Sequence, residues 1–268
     1  MILGICTNMN ARSTTDVGID QINYLKKIGL EYVELSVERI MKYDENRFEF
    51  FRKDMAESPL PCLACNSFID PSIKLVGRDF NKEKFESFII KSLERIASIG
   101  AKKVVFGNPK ARNIPSYVSA QDGRSQIIER IKYIAGIAEK HNIEVEVEHI
   151  NRVETNVINT FEESVAIAQQ INRPNVKSVF DHYHFEIAGE KEELVRRHEA
   201  WIGHMHFACT LERHMPDLDD VKKYQPAFKL MKDCSYKGTL SLEAYFPGLE
   251  MDNIYYKDVI AEIKKLLN

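Results

Sequence analysis

The sequence predicts an α/β fold, a single-domain (β/α)8 TIM barrel, from three observations. Eight short apolar or alternating segments recur along the chain, helix-period segments lie between them, and the 268 residues suit eight such units. The 44% hydrophobic composition supplies a substantial core. Because no linker, internal repeat or composition shift divides the chain, we expect residues 1–268 to form one domain.

The eight predicted strands have the short apolar or alternating character of strands in a parallel sheet. In chain order they are residues 2–7, 32–36, 61–67, 103–107, 143–148, 176–181, 201–207 and 239–243. The fifth, IEVEVE, alternates aliphatic residues with Glu144, Glu146 and Glu148. In a closed barrel these three carboxylates face a packed interior, so each needs a partner or a function. Lys177 lies four residues before Asp181 on the sixth strand, so its side chain should also point into the barrel. We expect it to neutralise one of the two deeper glutamates.

Helix-period segments separate the strands. Residues 81–100 carry an apolar stripe that ends at a glycine, and TFEE at 160–163 is typical of a capping box. The last helix is predicted from Ile254, Val259, Ile263 and Leu266. A doubly wound open sheet is the rival fold, but no glycine-rich phosphate-binding motif follows any predicted strand.

Composition and charge indicate which kinds of partner the protein binds and in which cell compartment it lies. The net charge is −3 with both signs mixed along the chain, so we expect no nucleic-acid partner. No apolar run has the length of a membrane span, and the N-terminal residues lack the pattern of a signal peptide. The five cysteines are odd in number and lie mostly in apolar runs, which is typical of reduced thiols. These features predict a soluble cytoplasmic protein.

The candidate site lies at the carboxyl ends of the last four strands, because a barrel gathers these ends at one mouth. They carry Glu148, Asp181, His206 and Glu243. Three converging carboxylates repel one another unless a cation lies among them, so the pattern predicts one divalent metal ion. The oxygen-rich donor set favours Mn²⁺ or Mg²⁺, with Zn²⁺ or Co²⁺ as alternatives.

At these residues the sequence resembles the xylose-isomerase-like TIM barrel superfamily of sugar isomerases, ketose 3-epimerases, inosose dehydratases and endonuclease-four-type enzymes. The resemblance covers nearly the whole chain. It rests on the segments GLEYVELS, VVFGNPKARNIP, VEHINRVETNVINT, VFDHYHFEIAGE, IGHMHFA and LSLEAY. The spacings E-x-x-N-R-x-E, D-x-x-H and H-x-H are most similar to the sugar isomerase and epimerase branch, in particular to ketose 3-epimerases.

That resemblance implies roles for individual residues. Glu148, Asp181, His206 and Glu243 would bind the metal, and Glu148 and Glu243 would also exchange protons with the substrate. The implied substrate-binding residues are Glu154, His184 and Arg213. Arg213 departs from the ketose 3-epimerase pattern, because it lies seven residues after His206 instead of six, which implies a one-residue insertion.

The implied activity is isomerisation or epimerisation of a ketose or related polyol through an enediolate. An inosose-type dehydratase using the same site is the main alternative. An endonuclease-four-like phosphodiesterase is disfavoured, because the ends of strands two to four carry Glu34, Asn66 and Asn108, with no histidine for further zinc ions. The expected partner is a small sugar or polyol, and a homodimer is the expected assembly.

We interpret Lys110 and Arg112, in the loop after strand four, as solvated charges.

Overall fold

Eight parallel strands close into a barrel in which each strand pairs with its neighbours in chain order and the eighth returns to the first. The computed structural model describes residues 1–9, 16–210, 212–245 and 255–268. The strands are β1 (Ile2–Cys6), β2 (Tyr32–Ser36), β3 (Cys62–Asn66), β4 (Lys103–Phe106), β5 (Glu144–Glu148), β6 (Val176–Asp181), β7 (Ile202–Phe207) and β8 (Thr239–Leu242). The predicted (β/α)8 barrel is confirmed.

Helices surround this barrel. In the described ranges they are α1 (Ile22–Lys27), α2 (Val37–Ile40), α3 (Glu45–Ala56), α4 (Lys82–Ser98), α5 (Pro109–Arg112), α6 (Ala120–Glu139), α7 (Phe161–Ile171), α8 (His182–Ile187), α9 (Glu192–His198), α10 (Leu218–Lys223), α11 (Gln225–Asp233) and α12 (Tyr255–Leu267). Ile254, which the sequence assigned to the last helix, lies outside the described residues. Within those residues, no helix is long and apolar enough to cross a membrane.

The start of α7 follows from its cap. The Thr160 side chain accepts a hydrogen bond from the Glu163 N–H at 3.1 Å, which satisfies one of the free donors of the first turn. The Glu163 carboxylate accepts the N–H of Asn159 at 2.6 Å, one residue before the position that a capping box uses. The predicted helix start is therefore correct, while the reciprocal bond reaches one residue further back.

β5 divides its side chains between two environments. Val145 and Val147 are fully buried among the apolar residues of the core, and the strand packs against α6 and α7. The glutamates take the other face. Glu146 is fully buried, Glu144 is more exposed at the strand start, and Glu148 lies at the opposite end, at the mouth.

Lys103 on β4 is the counter-ion of the two deeper glutamates. Its Nζ contacts the Glu144 carboxylate and lies 3.5 Å from Oε1 of Glu146. Lys177 pairs in register with Glu146, but its Nζ donates to the carbonyl of Ala200 at 3.1 Å. The prediction that Lys177 forms the ion pair is therefore wrong. Lys103, whose side chain also points into the barrel, contacts both carboxylates instead.

Replacing Lys103 by Met should lower the free energy of unfolding by about 3 kcal/mol, because Glu146 would stay buried without its ion-pair partner. Adding Glu146→Leu in the same chain should recover most of this loss. Denaturant unfolding measures both effects, and the exposed Lys140→Met serves as a control with a change within about 0.5 kcal/mol. A double variant no more stable than Lys103→Met would contradict the assigned pair.

Candidate functional site

The mouth of the barrel brings together the four side chains predicted to bind a metal. One ligand atom each from Glu148, Asp181, His206 and Glu243 lies within 4.8 Å of all the others. Nδ1 of His206 lies 3.0 Å from Oε1 of Glu148, 3.7 Å from Oδ2 of Asp181 and 3.4 Å from Oε2 of Glu243. Glu148 ends β5 and Glu243 directly follows β8, and β6 and β7 lie between these two strands, so the carboxylates approach the cluster from different sides.

The donor set of this cluster fits a divalent cation. It offers three carboxylates and one imidazole, all of them mostly or fully buried. Oδ2 of Asp181 is buried without a hydrogen-bond partner among the described residues. A buried carboxylate oxygen with no donor is costly, and a cation would compensate for it.

Glu34 supports this cluster from below, a role that the sequence analysis missed. Its carboxylate oxygens lie 3.1 and 3.2 Å from Nε2 of His206 and 2.8 Å from Nε2 of His204. Ser241 donates a further hydrogen bond to Glu34 at 2.6 Å. Burial acts to raise the pKa of Glu34, but the two imidazoles outweigh it and hold this pKa well below its usual value. The anion fixes the His206 ring with Nδ1 toward the cluster.

The two candidate proton-transfer carboxylates have different surroundings. Burial raises the pKa of Glu148, with His206 acting in the opposite direction. Burial also acts to raise the pKa of Glu243, but Arg213 and His206 outweigh it and lower this pKa. The difference arises because the Arg213 guanidinium contacts the Glu243 carboxylate directly.

The predicted substrate-binding residues line one cavity above the cluster. This cavity holds about 270 Å³ of free space, slightly below the usual range for small-molecule sites. Glu154, His184 and Arg213 line it together with Glu148 and Glu243. Five of the seven predicted site residues thus line the cavity. The other two, Asp181 and His206, lie next to Glu148 and Glu243 in the cluster.

Asn151 links two of these residues and was also missed. Its Nδ2 lies 2.9 Å from Oε1 of Glu154 and 2.9 Å from Nδ1 of His184. Asn151 is buried, and its position in the E-x-x-N-R-x-E spacing was the available signal. The amide holds the imidazole and the carboxylate in a fixed relation at the cavity wall.

Arg213 reaches the cluster from an unusual backbone conformation. Glu212 and Arg213 have φ values of 60° and 50°, in the left-handed region that is sparsely used by residues with side chains. The Arg213 guanidinium lies 4.7 Å from the centre of the Tyr183 ring and 3.9 Å from Oδ2 of Asp181. These consecutive left-handed residues accompany the longer spacing between His206 and Arg213.

Arg112 is a buried residue, so its interpretation as a solvated charge is wrong. Its side chain is fully buried, and Nη1 donates to the carbonyls of Phe106 at 3.1 Å and Glu148 at 2.7 Å. Burial lowers the pKa of Arg112 to about 10. Asn108 caps the short helix α5, which turns Arg112 back under the loop. Lys110 stays exposed and lines the cavity, as a solvated charge would.

Comparison with known proteins supports the family that the motifs predicted. A family model described as Xylose isomerase-like TIM barrel matches residues 22–266. The 2-oxo-tetronate isomerase of Cupriavidus necator is 28% identical over 172 residues, which cover 63% of this chain and 64% of that protein. The chain thus matches less than two thirds of that relative. Ketose 3-epimerases, putative hydroxypyruvate isomerases and an inosose isomerase are among the other similar proteins.

Solved structures share the fold. The crystal structure of D-psicose 3-epimerase in the presence of D-fructose has a TM-score of 0.82 at 18% identity, covering 100% of this chain and 99% of that one. The IOLI protein with a bound zinc atom has a TM-score of 0.65 at 18% identity, covering 99% and 96%. The family match spans most of the chain, and its relatives include sugar isomerases and epimerases. This chain belongs to the xylose isomerase-like TIM barrel family.

Proposed function

We propose that the protein is a divalent-metal-dependent sugar isomerase or epimerase that acts on a ketose or related polyol. The observation that carries this proposal is that one ligand atom each from Glu148, Asp181, His206 and Glu243 lies within 4.8 Å of the others. Two of these residues, Glu148 and Glu243, also line the cavity. These residues would hold one ion, whose positive charge stabilises a developing enediolate. The oxygen-rich set favours Mn²⁺ or Mg²⁺ over Zn²⁺ or Co²⁺.

Glu148 and Glu243 carry the proton transfers in this proposal. One carboxylate removes the proton from the carbon beside the carbonyl, and the other returns a proton. Return to the opposite face of the same carbon inverts it, which is epimerisation. Return to the neighbouring carbon, with transfer of the hydroxyl proton, moves the carbonyl, which is isomerisation. Both routes conserve all atoms and need no second substrate.

The remaining cavity residues would bind and orient the sugar. The imidazole of His184 and the carboxylate of Glu154 can hydrogen-bond hydroxyl groups. The Asn151 amide contacts both side chains and fixes their relative positions. Arg213 is held on Glu243 and over Tyr183, so its guanidinium can donate to a substrate oxygen without a large rearrangement. Such prior ordering reduces the entropy lost when the substrate binds.

Metal removal tests the dependence on an ion. A chelator should abolish isomerisation or epimerisation across a panel of ketoses, their phosphates and inososes. Adding Mn²⁺ or Mg²⁺ to the dialysed protein should restore activity, with Zn²⁺ and Co²⁺ assayed in parallel. Product formation is measured by chromatography. A metal-free sample that keeps full activity on its substrate would contradict the proposed role of the cluster.

A further inference from the structure

Another group of side chains that could bind a metal lies outside the cavity, in the segment that follows β7. It consists of Cys209, His214 and Asp220, and one ligand atom from each lies within 4.8 Å of the others. Nε2 of His214 is 2.8 Å from Oδ2 of Asp220. This group shares no residue with the cluster at the barrel mouth.

Backbone contacts hold two of the three donors in place. The Cys209 N–H donates to the carbonyl of His214 at 3.2 Å, which holds these two residues next to each other. His214 also forms an isolated bridge with Tyr245, beyond the end of β8. Backbone contacts thus place Cys209 and His214 side by side, and the contact between Nε2 of His214 and Oδ2 of Asp220 joins the third donor to them.

A capping box positions the third donor. Asp220 occupies the first turn of α10, where the side chain of Asp217 accepts the N–H groups of Asp219 and Asp220, each at 2.8 Å. Oδ2 of Asp220 accepts the Asp217 N–H at 3.2 Å in return. The carboxylate is therefore anchored next to His214 before any ion binds.

The chemistry of this group differs from that of the cluster at the mouth. A thiol, an imidazole and a carboxylate are a donor set typical of zinc and similar borderline-soft ions, whereas Mg²⁺ and Mn²⁺ prefer oxygen. Cys209 is fully buried, but the side chains of His214 and Asp220 are 35% and 18% exposed. Solvent can therefore supply a fourth ligand.

The charges around the thiol also suit a cation. Burial raises the pKa of Cys209, and the carboxylates of Asp220 and Asp217 raise it further. The same negative charges attract a divalent cation, which would stabilise the thiolate as a ligand.

We propose that Cys209, His214 and Asp220 bind a second divalent ion of the zinc type. This ion would connect the segment that carries Arg213 to α10. Arg213 immediately precedes His214, and Asp220 lies in α10. The inference stands independently of the proposed activity, because it involves none of the residues at the mouth.

Cobalt titration of the chelated and dialysed protein tests this site, because Co²⁺ bound to a thiolate absorbs in the near ultraviolet. The wild-type protein should bind two Co²⁺ per chain and show this band. Cys209→Ser should lose one equivalent and the whole band. Asp181→Asn, at the mouth, should lose the other equivalent and keep the band. Cys234→Ser is the control, because it removes a buried thiol that donates a hydrogen bond to the carbonyl of Leu230. This variant should bind two Co²⁺ per chain and keep the band.

His214→Asn, at a partly exposed position, should also lose one equivalent, and it provides a second test if Cys209→Ser does not fold. A wild-type protein without the thiolate band would overturn the proposal and leave these residues as a hydrogen-bonded loop. A band that persists in Cys209→Ser would overturn it as well, because the thiolate would then belong to another cysteine. A wild-type protein that shows the thiolate band but binds only one Co²⁺ per chain would count against the proposed metal cluster at the mouth and not against this site.

Discussion

Replacing Glu148 by Gln is expected to slow proton exchange at the carbon beside the substrate carbonyl by about 10²- to 10⁴-fold. Gln has nearly the same shape but cannot accept the proton as a carboxylate does, and it removes one negative charge from the proposed metal ligands. Glu148 is 5% exposed and lies at the floor of the cavity, so bulk water cannot easily replace it.

The measurement is the rate of deuterium incorporation into an active ketose in D₂O, with circular dichroism to verify the fold. Glu193→Gln, at an exposed position on α9, makes the same chemical change away from the cavity and should leave the rate unchanged. Exchange by Glu148→Gln at the wild-type rate would refute the role of Glu148 in proton transfer.

Replacing Gly107 by Ala should reduce activity by about 10²-fold or more, although no reacting group is removed. A Cβ atom at this position would lie 1.8 Å from Oε2 of Glu148 and 3.0 Å from its Cδ. Because Glu148 is buried, its carboxylate would have to move away from Asp181, His206 and Glu243. Both metal affinity at the mouth and catalytic rate should therefore decline.

Gly136→Ala is the matched control. Its added methyl group would lie 3.9 Å from the Arg173 guanidinium, an ordinary contact, and Ala favours the helix over Gly by up to about 1 kcal/mol. We expect this variant to be fully active and slightly more stable. Steady-state kinetics and metal titration compare the two variants. Normal kcat and KM in Gly107→Ala would contradict the packing of Glu148 against this glycine.

The fold could be predicted from the sequence because its signals are local. Apolar periodicity separates strands from helices, and parallel connections place all strand carboxyl ends at one mouth. The third strand, predicted at 61–67, spans Cys62–Asn66, and the sixth, predicted at 176–181, spans Val176–Asp181. The same rule located Glu148 and Asp181, because a residue at a strand end needs only its own strand to be placed.

Residues that depend on the relation between distant segments were harder to predict. Lys103 meets Glu146 because β4 and β5 pair in a particular register, and Glu34 meets His206 across the barrel interior. Arg112 is buried because one short helix turns it toward the carbonyls of Phe106 and Glu148. The sequence around Arg112 shows only a basic residue in a polar loop. A loop has no strand or helix periodicity from which the burial of a side chain could be predicted.

Deuterium incorporation by the metal-loaded wild-type protein tests the central claim most directly. The protein is incubated in D₂O with ketoses, their phosphates and inososes, and each product is examined by NMR and mass spectrometry. We predict deuterium on the carbon beside the carbonyl of at least one substrate, together with formation of its epimer or isomer and no loss of water. Loss of water from the substrate would indicate a dehydratase instead, and no exchange with any member of the panel would contradict the proposed isomerase or epimerase.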